Sequence, residues 1–200
     1  SMLDVGCGSK PYERWCTNVT SYVGIDVSED SKADVVIVRG QVWPFEASSF
    51  DCVFSSQALE HVEDIDHVLS EMNRVLKPGG KLIVSVPFYH NEHGTPDDYR
   101  RFTCDGMRQV FGRDYRLLQV DKLGGLGSVL GVARLNWMYG SMERSKWSRR
   151  LRTNLWPLWF LVCSANGLWG AFVDRLDRTG AFYTNVLMVA EKKGGATDQT

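Results

Sequence analysis

Short, nearly uninterrupted apolar runs recur through the first half of the chain: Leu3–Val5, Ser21–Ile25, Asp34–Val38, Phe50–Ser55 and Lys81–Val86. Runs of this kind belong to a parallel sheet covered on both faces, because a half-exposed strand would alternate apolar and polar residues. Between the last two, Ile65, Val68, Leu69, Met72, Val75 and Leu76 recur at helical spacing, and Lys77-Pro78-Gly79-Gly80 stops that helix. Strands alternating with helices specify a doubly wound α/β sheet, whose ligands bind outside the carboxyl ends of the strands. The first such end is Leu3-Asp4-Val5-Gly6-Cys7-Gly8-Ser9. Glycine has no Cβ and accepts positive φ, so a ligand can lie directly on the backbone of Gly6 and Gly8. The competing reading is a tight strand-to-helix turn with no ligand. Ser9, Lys10-Pro11 and Glu13 read as the cap and first turn of a short helix through about Cys16.

Composition narrows the function. With 200 residues and 44% hydrophobic content, one well-buried core is expected, so residues 1–200 read as a single domain. A net charge of -1 provides no field to attract a polyanion, and nucleic acid is not an expected partner. The five cysteines are scattered with no Cys-x-x-Cys pair, which fits a reducing cytoplasm and predicts no metal site. The chain opens abruptly, with Ser1-Met2 set against the first strand, and a helix preceding that strand is expected to lie outside this sequence.

The glycine turn also limits the ligand. A dinucleotide fingerprint needs a third glycine three residues after Gly8, where Pro11 stands, and this argues against NAD and FAD. That third glycine serves a pyrophosphate, so its absence points to an adenosine ligand without phosphates. Asp26, at the end of the second strand, can accept from both ribose hydroxyls, since an ionised carboxylate is acceptor-only. The alternative for Asp26 is a helix N-cap.

After Pro87 comes a polar, aromatic and histidine-rich loop, Phe88 to Phe102, then a helix over Asp105–Phe111, a sixth strand over Tyr115–Val120 and a seventh over Tyr183–Glu191. Loops this long in compact domains are usually functional. Between the last two strands lies a glycine- and tryptophan-rich insert, 123–179. Its stretch Leu155–Val173 carries no charge and follows Lys146, Arg149, Arg150 and Arg152. Two readings stand: a buried helix pair forming a lid, or a peripheral membrane contact through 146–173. Pro157, Asn166, Gly167 and Gly170 interrupt the stretch and argue against a spanning helix. The tail from Gly194 to Thr200 is expected to fray.

Leu3-Asp4-Val5-Gly6-Cys7-Gly8, Gly24-Ile25-Asp26, Pro44-Phe45 with Ser49-Phe50-Asp51, Ala58-Leu59-Glu60-His61-Val62 and Arg74-Val75-Leu76-Lys77-Pro78-Gly79-Gly80 together resemble a class I S-adenosylmethionine-dependent methyltransferase of the methyltransferase type 11 kind. Pro87-Phe88, His93 through Tyr99 and Arg101-Phe102-Thr103 resemble a subgroup found beside glycosyltransferases in surface-polysaccharide loci. The resemblance implies a Rossmann-like seven-stranded sheet with the last strand antiparallel, and an insert between strands six and seven that roofs the substrate pocket. It implies S-adenosylmethionine as cofactor, its methionine part against Asp4, Gly6 and Gly8 with Asp4 near the amino group, its ribose at Asp26, and Cys7 and Val27 among the cofactor-binding residues. Ser56 and Gln57 fall near the sulfonium. The family's acidic adenine residue is missing after the third strand, leaving Gln41 or backbone groups as candidates.

The reaction implied is in-line displacement at a sulfonium methyl, where positioning contributes about 7 to 11 kcal/mol and a general base for a hydroxyl acceptor about 10² to 10⁴ in rate. His61, His90 and His93 are the candidate bases, while His67 sits one turn into a helix. Tyr89 and Tyr99 are candidates to stack on an acceptor. The expected activity is methyl transfer to a small-molecule acceptor, with a glycan or lipid-linked sugar first and oxygen before nitrogen. A non-catalytic cofactor-binding subunit is one rival. A protein or RNA methyltransferase is another, although Ser55-Ser56-Gln57-Ala58 stands where an Asn-Pro-Pro-Tyr type motif would be. Oligomeric state is left open.

Overall fold

A computed structural model describes residues 1–144, 150 and 154–194. The chain divides into two compact units: Ser1–Pro87, Gly94–Asp121 and the segment from Val186 form the first, Phe88–His93 and Lys122–Asn185 the second. One seven-stranded sheet is built from β1 (Met2–Val5), β2 (Tyr22–Asp26), β3 (Val35–Val36), β4 (Phe50–Ser56), β5 (Leu76–Pro87), β6 (Tyr115–Leu123) and β7 (Asn185–Lys192), in the order β3-β2-β1-β4-β5-β7-β6. The pairs β1–β2, β1–β4, β2–β3 and β4–β5 are parallel. Lys193 N–H donates to the Asp114 carbonyl at 3.0 Å and Thr184 N–H to the Leu123 carbonyl at 2.9 Å, so β7 runs antiparallel to β6. This is the doubly wound, Rossmann-like sheet with a reversed last strand that the sequence predicts. Strand order reverses between β1 and β4, and the crevice at their carboxyl ends is where such sheets bind ligands.

The core forms where the apolar runs meet the helices. Leu3, Ile25, Val53, Leu82, Val84 and Val86 are fully buried strand residues. Over them α1 (Ile65–Val75) buries Met72 and Val75, and α2 (Cys104–Phe111) buries Met107 and Phe111. Asp64 caps α1 by accepting from His67 N–H at 3.1 Å, and Thr103 caps α2 by accepting from Gly106 N–H at 2.9 Å.

Three local expectations need correction. The helix through Cys16 is a single 3₁₀ turn, Glu13–Trp15, because Lys10 adopts φ 55 and leaves the helical region where the first turn would form. β3 keeps only two residues and leaves Val38 61% exposed, since it is the sheet's edge and has one neighbour. β5 starts at Leu76, inside the predicted helix stop: Phe50 pairs with Leu76 and Cys52 with Lys81, so the intervening residues bulge, with Gly79 at φ 75.

The second unit contains α3 (Leu126–Glu143) and α4 (Trp156–Leu176), packed antiparallel. They approach through glycine: a Cβ on Gly127 would lie 2.1 Å from the Gly170 carbonyl oxygen, so no larger residue fits that crossing. Among the described residues of the pair, Gly127, Val129, Gly131, Asn166 and Gly170 are buried, while Leu130, Trp137, Leu161, Leu168 and Phe172 are exposed. Lys146, Arg149 and Arg152 lie outside the described residues, as does the tail after Gly194.

Candidate functional site

At the end of β1 the chain turns back on β2. Gly6 and Cys7 N–H both donate to the Ile25 carbonyl, at 2.9 and 3.1 Å, a geometry that needs φ 73 at Gly6. Asp26 then ties two turns together: one carboxylate oxygen accepts from Gly8 N–H at 2.9 Å and the other from Ser28 N–H at 2.9 Å. Each oxygen keeps acceptor capacity for a further donor. Behind this turn, Asp34 accepts from Gly24 N–H at 2.7 Å and from Lys10 Nζ at 2.5 Å. These two donors hold the Asp34 carboxyl below its ordinary value.

A cavity of about 470 Å³ opens over the turn, within the size range of small-molecule sites. Gly6, Asp26 and Val27 form one end, Val38 through Gly40 the side beyond β3, and Gln57 and His61 the side beyond β4. Gln57 sits at φ 53 and is fixed by bonds to the Ser85 carbonyl (2.8 Å) and Ser85 Oγ (3.2 Å). Residues 94–102 brace this wall. His61 Nδ1–H donates to the Asp97 carbonyl, which fixes the tautomer and leaves Nε2, 3.9 Å from Glu60 Oε1, as the basic nitrogen. Arg39 pairs with Asp97 at 2.6 Å, Tyr99 OH donates to the same carboxylate at 2.9 Å, and both hold the Asp97 carboxyl low. Arg100 donates to the carbonyls of Leu59 (3.3 Å), Val62 and Glu63 (3.0 Å), satisfying the open end of the turn that carries His61.

The predicted site residues therefore separate. Gly6, Asp26, Val27, Gln57 and His61 line the cavity, whereas Asp4, Cys7, Gly8, Gln41 and Ser56 do not. Ser56 pairs with the Tyr12 hydroxyl at 3.2 Å. Gln41 is displaced by Arg39 and Gly40, and its carbonyl accepts from His67 Nε2 at 3.0 Å. Cys7 is buried, and loss of solvation pushes its thiol up to about 11. His90, His93 and Tyr89 belong to the second unit, where the two imidazoles meet edge to face at 4.5 Å and both Nδ1 atoms bond the Asn91 carbonyl. Sequence reasoning missed Arg39, Asp97 and Arg100. Their role follows from pairings across long stretches of chain, and the charged run Asp97-Asp98-Tyr99-Arg100-Arg101 was the only local signal.

Asp4, expected near the cofactor amino group, is only 2% exposed and accepts from the Tyr22 hydroxyl. Burial pushes its carboxyl up from 3.8 to about 6. Between those values the folded chain holds a proton that the unfolded chain has lost, so this group's contribution to stability falls as pH rises through the window. The loss amounts to about 3 kcal/mol. Chemical denaturation from pH 4 to 6.5 should show Asp4→Asn with a markedly flatter pH dependence than the parent, and parallel profiles would refute the buried-carboxyl account.

A reversed-strand doubly wound sheet with a glycine turn, an acid ending β2 and a cavity at the β1/β4 switch point defines the class I methyltransferase fold. Residues 3–84 match the methyltransferase domain family, and S-adenosylmethionine is the cofactor of that domain. The sterol 4-C-methyltransferase strm-1 of Caenorhabditis elegans is 38% identical over 100 residues, 41% of this chain and 29% of that protein. The 27-O-demethylrifamycin SV methyltransferase of Amycolatopsis mediterranei is 36% identical over 98 residues, 40% of this chain and 36% of that protein. The chain thus spans about a third of the length of these curated relatives. Phosphoethanolamine N-methyltransferase 2 of Haemonchus contortus, solved with S-adenosyl-L-methionine, superposes with a TM-score of 0.59 at 19% identity, over 96% of this chain and 48% of that one. That likeness concerns the fold. The residues here fit the cofactor: the Asp26 carboxylate faces the cavity with acceptor capacity remaining, and Gly40, at φ 74, has no atom within 4 Å of where its Cβ would stand.

Proposed function

We propose that this chain is an S-adenosylmethionine-dependent methyltransferase acting on a small molecule, with a hydroxyl of a glycan or lipid-linked sugar as acceptor. The observation that carries the reading is the course of the cavity, which runs from the glycine turn past Asp26 to the backbone of Val38–Gly40 and ends at His61. Bound S-adenosylmethionine supplies a methyl group already activated on a sulfonium. In this reading Asp26 accepts from the ribose hydroxyls, Gly6 and Gln57 face the methionine, and the apolar wall of Ile37, Val38, Val62 and Val68 takes the adenine. Backbone groups of Arg39 and Gly40 replace the missing acidic adenine partner. His61 Nε2 receives the acceptor proton, because the bond from Nδ1–H to Asp97 holds the ring in the basic tautomer.

The acceptor assignment draws on the resemblance of residues 87–103 to the polysaccharide-locus subgroup. The names of similar proteins cover carbon, oxygen and nitrogen acceptors, so the acceptor atom must be tested directly. Transfer of labelled methyl to lipid-linked and free saccharides should be detectable. His61→Ala should lower turnover by about 10² to 10⁴ while leaving cofactor affinity within about twofold. Turnover unchanged by that substitution would remove His61 as the base, and absence of transfer with intact cofactor binding would favour a non-catalytic subunit.

A further inference from the structure

We infer that the α3–α4 hairpin is an in-plane membrane anchor that seats on an anionic lipid bilayer. Its packing is inverted relative to that of a helix pair in water. What lies between the helices is small or polar apart from Val173: Gly127, Gly131 and Gly170 bring the backbones together, and Asn166, 5% exposed, accepts from Arg134 Nε at 2.7 Å and donates to the Gly131 carbonyl at 3.1 Å. Ser128 N–H and Oγ both donate to Asp174, the N–H at 2.9 Å. What faces outward is large and apolar. Leu161, Leu168, Phe172 and Leu176 form a stripe along α4 that is 60 to 75% exposed, with Phe160 beside it at 63% and Trp137 of α3 at 72%. A contiguous apolar surface of this kind is not left in water. Helices that associate through small residues and polar bonds while presenting apolar side chains outward are packed for lipid, where burial of apolar groups between helices gives no advantage.

Charge distribution selects the bilayer over a second copy of the chain. No Asp, Glu, Lys, Arg or His occurs from Leu155 to Val173; the sequence before it is basic, with Arg144, Lys146, Arg149, Arg150 and Arg152 after Glu143, and the sequence after it pairs Asp174 and Asp177 with Arg175 and Arg178. Asp174 accepts from Ser128 inside the hairpin, and Asp177 accepts from Thr179 and from the N–H of Leu126 at the end of α4. Self-association in parallel register would bring the basic stretch 144–152 against its own copy, whereas anionic headgroups neutralise it. No helix among the described residues is long and apolar enough to cross a membrane, so the hairpin lies in the interface with its stripe toward the acyl chains.

The test is co-sedimentation of the full chain with phosphatidylcholine vesicles containing about 30% phosphatidylglycerol, compared with phosphatidylcholine alone. Binding is expected to the anionic vesicles. It should weaken by more than about tenfold in R149E/R150E/R152E, and at least as much in L161Q/L168Q/F172Q, whose changes fall on exposed positions and leave the seam intact. Brominated lipids should quench tryptophan fluorescence in the parent and not in the glutamine variant. No binding at low salt would overturn the inference. So would a sedimentation-velocity dimer that the glutamine variant dissolves without any vesicle binding. Calorimetry with S-adenosylmethionine on the same preparations reports the first unit separately, so failure here is distinguishable from failure of the methyltransferase reading.

Discussion

Asp26→Ala is expected to weaken S-adenosylmethionine binding by about a hundredfold, near 3 kcal/mol, the upper end for loss of a charge-assisted acceptor. The carboxylate has two functions at once. It accepts from Gly8 and Ser28 N–H at 2.9 Å each, which joins the turn after β1 to the turn after β2, and it faces the cavity where the ribose is proposed to lie. Alanine removes the ligand's acceptor and leaves two backbone donors to find water. Asp26→Asn should be nearly as damaging, because an amide can accept on one atom only and its NH₂ would face either Gly8 or Ser28 N–H. Isothermal calorimetry with S-adenosylmethionine, beside thermal melts to confirm folding, measures the effect. Wild-type affinity in a folded Asp26→Ala would sink the ribose assignment.

How far the sequence reached is clearest at this turn. Gly6, Asp26 and the apolar strands were legible because their roles follow from local chemistry: a missing Cβ, an acceptor at a strand end, a run with no polar gap. α1 was legible for the same reason, its apolar face recurring within a dozen residues. Lys10 was misread because its pattern, Ser-Lys-Pro, is that of a helix start. The winning interaction is its ion pair with Asp34, whose sequence separation no local rule sees. Gln41 missed the cavity because Gly40, at φ 74, turns the chain and sends the next residue toward His67. The brace on His61 was illegible for the same physical reason, since Arg39–Asp97 and Arg100 with the 59–63 carbonyls are contacts between distant segments. In α4 the composition announced an uncharged aromatic helix. Which face turns inward was decided by Gly127 and Gly170, a pairing visible only once the two helices are laid together.

Gly6→Ala should be among the most destabilising single changes in the first unit, and its cause can be isolated. A Cβ built on Gly6 stands 2.4 Å from the Ala58 Cβ, and the residue sits at φ 73. The left-handed conformation alone costs an L-residue about 1 to 2 kcal/mol, and overpacking in a fixed site about 1 to 3 kcal/mol more. The site is fixed because β1 and β4 are directly paired, Asp4 opposite Phe54, so the segment carrying Ala58 cannot retreat without breaking the ladder. The sum, about 3 kcal/mol, corresponds to a fall of about 10 °C in melting temperature for a chain of this size. Gly6→Val adds further bulk at the cavity wall and should abolish cofactor binding in whatever fraction folds. Two comparisons separate steric overlap from backbone strain. Gly8→Ala, at φ 50 with no atom within 4 Å of its Cβ, should cost only the conformational part, about 1 to 2 kcal/mol. Gly6→Ala combined with Ala58→Gly removes the overlap while keeping the strain, so it should recover roughly half of the lost stability. If the double variant is no more stable than Gly6→Ala alone, the close approach of the glycine turn to the segment after β4 is not what the first glycine is there to permit.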